Sequence, residues 1–220
     1  MKSSPKSSQI SLIVKYSLGK TAIQLVKFNK DLKQFEVVPE AAEILSQIKG
    51  NIGVIAFAGL YRTGKSFTLN LLLGQQELGF KVDPSTSSCT QGLWMWSDPI
   101  YVKESNLNII LIDTEGFSSI ESHTTQDSKI FALVVLISSY LIYNTIGVID
   151  EGAINSLSTA AELSKIVVVS NSNDNREDLL ASLTPKFIWL LKDFTLELQD
   201  SNGKTITEND YLDDCLKNTV

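Results

Sequence analysis

An apolar run, NIGVIAFA at 51–58, leads directly into GLYRTGKS at 59–66. Few junctions leave a chain so little architectural freedom. Gly59, Gly64, Lys65 and Ser66 satisfy G-x-x-x-x-G-K-[ST], and the residues that follow, FTLNLLLG, read as a helix. Strand, glycine-rich turn and helix N-terminus together make a phosphate cradle, because successive backbone N–H groups and the helix dipole face an incoming anion. Gly59, Tyr61, Arg62, Thr63, Gly64, Lys65, Ser66 and Phe67 are therefore the expected nucleotide-binding loop. Lys65 is expected to reach the outer phosphates, and the Ser66 hydroxyl to ligate Mg2+. The Tyr61 side chain reads as structural. Arg62 is the unusual member: a guanidinium in a loop that wraps phosphates is either idle in solvent or aimed at the reaction.

The rest of the chain supplies the sheet that such a loop needs. Alternating apolar and polar positions within 10–38 suggest short strands around the turn-like NKD at 29–31, and Pro39 is expected to open a helix, PEAAEILSQIK. Strands are expected at GLWMWS, LNIILID, FALVVLIS, IVVVS and FIWLLKD, with a helix over about 151–165. Strands alternating with helices imply a mostly parallel sheet with ligands beyond the strands' carboxyl ends. The expected fold is a three-layer α/β P-loop NTPase, with residues 1–9 as a loose tail and 10–220 as one domain.

Residues 130–149 carry no charge, and by length alone they could cross a membrane. Their β-branched residues, together with Ser138, Ser139, Asn144, Thr145 and Gly147, fit a strand buried on both faces better. No transmembrane segment is expected. A net charge of −6 and a pI near 4.9 speak against a general nucleic-acid binder. Two distant cysteines, Cys89 and Cys215, and a single histidine, His123, fit a reducing, cytoplasmic setting rather than a disulfide framework.

A second motif, NIILIDTEG at 108–116, is an apolar strand ending in an acid. Asp113 is placed to hold Mg2+, and Gly116 to offer its N–H to a γ-phosphate. Between the two motifs, STSSCTQGLWMW contains Thr90, about midway between Ser66 and Asp113. A threonine there can meet the metal through its hydroxyl, although a bland Ser/Thr loop looks similar.

GLYRTGKS, the T-x-G-x-W-M-W pattern of Thr90, Gly92, Trp94, Met95 and Trp96, and DTEG occur in that order. Together they resemble the guanylate-binding proteins, a branch of the dynamin superfamily of large GTPases. FALVVLISSYLIYNTIGVI and FIWLLKDFTLEL extend the resemblance over residues 25–217. It implies a domain that binds GTP with Mg2+ and hydrolyses it to GDP and phosphate. It also implies that Arg62 is an arginine finger in cis, brought onto the transition state when two GTPase domains form a nucleotide-dependent homodimer. Ser88 matches the family's serine that helps position the attacking water, and Glu115 the acid that relays its proton. Phe117 occupies the place where small GTPases carry a glutamine, so another apparatus is needed. Cys89 stands where better-known members often have histidine.

The usual guanine motif N-K-x-D is absent, and two substitutes remain. Lys192-Asp193 matches the family's Arg-Asp, and Asp193 could accept from guanine N1–H and N2–H2, donors that adenine lacks. Asn171–Asp174 is an N-x-x-D with Ser172 where lysine belongs, and it equally suits a polar turn. Lys192-Asp193 is the preferred reader. The resemblance also implies a longer domain followed by a helical stalk, so the chain is expected to be incomplete at its C-terminus and to approach membranes only through other regions or partners. Two rival functions stand beside hydrolysis: a nucleotide-regulated binding module without turnover, and an ATP-using P-loop enzyme.

Overall fold

The computed structural model describes residues 20–75, 79–82, 92–114, 116, 125–171 and 183–217. Strands β1 (Ala22–Asn29) and β2 (Gln34–Val37) form an antiparallel hairpin. Its turn is set by Asn29, whose Oδ1 accepts the backbone N–H of Asp31 at 3.0 Å and of Leu32 at 3.1 Å. Helix α1 (Pro39–Gln47) begins at a proline, whose missing N–H would have had no partner in the first turn. Then follow β3 (Asn51–Ala58), α2 (Lys65–Leu73), β4 (Leu93–Trp96), β5 (Ile100–Val102) and β6 (Leu107–Thr114). The chain continues through α3 (Thr125–Ile137), β7 (Tyr140–Ile146), α4 (Glu151–Asn171), β8 (Lys186–Lys192) and α5 (Glu208–Lys217).

The strands lie in the order β2-β1-β4-β6-β3-β7-β8, with β5 paired to β6. The centre is parallel: β3 pairs with β6 and with β7, and β7 with β8. The hairpin, β4 and β5 extend one side in antiparallel fashion. This is a three-layer α/β P-loop fold. From β3 the chain moves first to β6 on one side and later to β7 on the other, so the strand order reverses at the carboxyl end of β3. Ligands of open α/β sheets bind at such a switch point.

Strand alternation divides the core between the two faces. Ala56, Ala58, Ile110, Ile112, Leu93 and Met95 face one side, where they meet Ile130, Phe131 and Val134 of α3, Ala153 and Ala160 of α4, and Ala41 of α1. Phe57, Leu111 and Trp96 face the other and pack on Leu69 of α2 and on Phe80. Trp94 and Trp96 both pack on this second face, as their alternation along β4 suggests. Because right-handed crossovers place helices according to the direction of travel, the reversal at β3 puts α2 opposite α3 and α4.

Two expected strands are helical. FALVVLIS, except for its final serine, lies in α3, and the strand expected there is instead YLIYNTI, β7. A continuous apolar run does not by itself distinguish a buried strand from a buried helix. Topology decides, since β6 and β7 run in the same direction and need a long crossover between them. Ile130 and Val134 accordingly recur on one buried side of the helix, and buried Ser138 follows just past its end, donating its N–H to Val134 O at 3.1 Å. IVVVS likewise continues α4 as far as Asn171. That helix is secured at its start by Asp150, whose Oδ1 accepts the Ala153 N–H at 2.7 Å, and β-branched residues impose only a small helical penalty. Residues 130–149 are thus divided between a helix and a strand. No helix among the described residues is long and apolar enough to cross a membrane.

Candidate functional site

The four parallel strands end on the same edge, and the sequence motifs gather there. After β3 the backbone turns at Gly59, with φ of +143°, and a Cβ at that position would lie 2.1 Å from the carbonyl oxygen of Asn144 on β7. Only glycine fits. Arg62 has φ of +63°, a left-handed conformation that costs a non-glycine residue roughly 1–2 kcal/mol. The turn is stitched internally by the Thr63 hydroxyl, which donates to Leu60 O at 3.0 Å. Gly64, also left-handed, then starts α2. Arg62 is exposed, and its Cζ lies 5.6 Å from the Tyr61 ring centroid, within cation–π range.

Lys65 is buried, and its ammonium donates to Gly59 O at 3.3 Å and to Leu60 O at 3.0 Å. The lysine is thereby folded over its own loop. Ser66 Oγ donates to Asp113 Oδ2 at 2.5 Å, linking the start of α2 to the end of β6. The other carboxylate oxygen, Asp113 Oδ1, is buried and has no hydrogen-bond partner among the described residues. Burial pushes the Asp113 carboxyl up to about 6, and the Ser66 hydrogen bond and the Lys65 charge offset only part of that rise. A hydroxyl beside a carboxylate with one unused oxygen is a hard-oxygen pair of the kind that suits Mg2+, so these residues fit the ion.

Gly116 stands against the same loop: a Cβ there would lie 2.4 Å from Tyr61 Cα and 3.0 Å from Lys65 Nζ. The second motif's glycine is thus in contact with the first motif. At the end of β8, Lys192 reaches the loop from the other side. Its ammonium lies 5.6 Å from the Phe67 ring centroid and 3.5 Å from Thr68 Oγ1, and a Cβ on Gly64 would meet it at 2.6 Å. Asp193 follows with φ of +53°.

The structure therefore brings together Gly59, Tyr61, Arg62, Thr63, Gly64, Lys65, Ser66, Phe67, Asp113, Gly116 and Lys192, and Asp193 follows Lys192 in the chain. Ser88, Cys89, Thr90, Glu115, Phe117, His123 and Asp174 lie outside the described residues. Asn171 ends α4. One residue at the site was not singled out from sequence: Asn144, fully buried on β7, whose Nδ2 donates to Thr63 O at 2.8 Å. Its signal was available, since an amide within the apolar run YLIYNTI has to satisfy its polar atoms somewhere.

Comparison with known proteins agrees with this arrangement. A family model described as "Guanylate-binding protein, N-terminal domain" matches residues 32–219. The chain is 40% identical over 186 residues to guanylate-binding protein 5 of Mus musculus, an alignment covering 81% of this chain and 31% of that protein. It is 42% identical over 190 residues to guanylate-binding protein 2 of Homo sapiens, covering 84% and 32% respectively. The chain spans about a third of the length of these curated relatives. With the motifs, the parallel sheet and the matched residues in agreement, the chain belongs to the guanylate-binding protein family.

Proposed function

We propose that this chain binds GTP with Mg2+ and hydrolyses it to GDP and phosphate, and that pairing of two GTPase domains through their nucleotide faces accelerates hydrolysis. The observation that carries the reading is the meeting of Lys65, Ser66 and Asp113 at the switch point, in a chain of this family.

Each residue has a distinct task. Backbone N–H groups from Gly59 to Phe67 cradle the phosphates, and Lys65 turns from its own loop carbonyls to the outer phosphates. Ser66, Asp113 and Thr90 hold the metal, whose charge when bound neutralises that building up on the β- and γ-phosphate oxygens. Gly116 donates its N–H to the γ-phosphate. Ser88 and Glu115 orient the attacking water and relay its proton, in place of the glutamine that Phe117 replaces. Arg62 supplies positive charge to the transferred phosphoryl group. Asp193 accepts from guanine N1–H and N2–H2, while Lys192 keeps the family's charge at its position without a planar surface for stacking on the base. Residues 10–220 act as one GTPase domain, and the chain works in the cytoplasm.

Calorimetric titration of the full chain with GTP and with ATP, with Mg2+ and with a chelator, tests the reading. GTP should bind at least about tenfold more tightly than ATP and weaken on chelation. Equal affinities would instead favour an ATP-using enzyme. GTP binding without turnover would favour a nucleotide-regulated binding module.

A further inference from the structure

We infer that Asn144 is a positioning residue for phosphoryl transfer: its side-chain amide clamps the phosphate-binding loop at Thr63 and thereby fixes the backbone that presents Arg62. The catalytic consequence rests on the hydrolytic reading above, whereas the clamp rests on geometry alone.

Asn144 lies near the carboxyl end of β7 and has no exposed surface. It grips the loop twice. Its Nδ2 donates to Thr63 O at 2.8 Å, and its backbone oxygen occupies the space that a Cβ on Gly59 would need, at 2.1 Å. The two contacts fall at opposite ends of the turn. Within it, Thr63 is itself buried and bonds back to Leu60 O at 3.0 Å. Arg62 sits between these anchors with φ of +63° and an exposed side chain. A non-glycine residue keeps such a backbone only where its surroundings over-determine it. The bond from Asn144 reaches this turn from a neighbouring strand, so it ties the backbone beside Arg62 to the sheet.

A contribution to stability explains Asn144 poorly. Its Oδ1 is buried and without a partner among the described residues. An amide that is only half satisfied weakens a core relative to an apolar side chain of similar shape. The neighbouring position on the same face of β7 is Ile142, which packs with Phe57, Leu69 and Leu111 as a core residue should. The amide at 144 breaks that pattern where the strand meets the phosphate loop. Holding the donors and Arg62 in place before the reaction is how a site avoids reorganising during it.

The test uses the full chain and two variants, Asn144→Leu and Asn144→Ser, first without nucleotide. Hydrogen exchange in the 59–66 segment should quicken at least about tenfold in both variants, while the β1–β2 hairpin exchanges as before. With GTP and Mg2+, kcat should fall on the order of 10²-fold while affinity for GTP changes far less. Unchanged loop exchange in a folded variant would overturn the inference. So would kcat, affinity and thermal stability declining together, or global unfolding of both variants, since the clamp predicts that leucine leaves the fold standing. If the wild-type chain binds GTP without hydrolysing it, the hydrolytic reading fails, and the exchange result still judges the clamp.

Discussion

Ser66 Oγ and Asp113 Oδ2 share a 2.5 Å hydrogen bond across 47 residues of sequence. The bond exists because β3 and β6 run parallel in register, with Phe57 opposite Asp113, so that the loop after one strand opens beside the end of the other. The same bond leaves Asp113 with one satisfied oxygen and one buried and unpaired. A site built this way is stable enough to stay folded and polar enough to gain from a cation.

The burial of Asp113 predicts a pH dependence. The folded pKa of Asp113 stands at about 6 against 3.8 for the unpaired acid, so the native state holds the proton more tightly than the unfolded state. Stability from this group is present below about pH 4 and is lost as pH rises through about 6, amounting to roughly 3 kcal/mol by pH 7. Urea midpoints of the chelated protein should therefore fall over that window in the wild type and fall less in Asp113→Asn. Parallel curves would contradict the assignment.

Lys65→Ala should abolish measurable GTP binding. The loop carbonyls of Gly59 and Leu60 lose their ammonium partner as well, so a thermal shift of a few degrees should accompany the loss, as expected for about 1–2 kcal/mol. Calorimetry separates the two effects. Near-native affinity in the variant would remove Lys65 from the phosphate site.

Gly59→Ala tests the packing of the loop on β7. The added Cβ would meet a backbone oxygen at 2.1 Å, at a φ that side chains rarely adopt. A loss on the order of 3 kcal/mol or more is expected, read from chemical denaturation. A loss of only a few tenths would mean that loop and strand are not in contact.

Asp193→Asn should relax the preference for guanine and improve binding of xanthosine triphosphate. Xanthine carries a carbonyl where guanine carries N2–H2, so the amide of the variant can donate where the carboxylate would repel. Competition binding measures the ratio of the two nucleotides. If Asp174→Asn makes the change instead, Asp193 is not the base reader.

Much of this is legible in the sequence. The phosphate loop announces itself because its chemistry demands particular residues, glycine at 59 and 64 and lysine at 65, at fixed spacing on a strand–helix junction. Asp113 was legible for the same reason. The strand assignments of FALVVLIS and IVVVS failed because apolar, β-branched runs satisfy a buried helix as well as a buried strand, and only the parallel pairing of β6 and β7 through β3 decides between them. Asn144 was legible only as a polar interruption of an apolar segment. What it bonds to depends on β7 lying beside β3, which is a tertiary fact. Lys192 is expected from sequence beside the base, and its approach to Gly64 and Phe67 shows that the end of β8 touches the phosphate loop.

The most direct measurement is hydrolysis of GTP and ATP by this chain with Mg2+, across a wide range of protein concentration, for the wild type and Arg62→Ala. GTP-selective turnover whose specific activity rises with concentration is the predicted result. Arg62→Ala should be slower by about 10³–10⁵-fold with GTP affinity nearly intact. GTP bound but not hydrolysed at any concentration, or a rate indifferent to the loss of Arg62, would contradict the account.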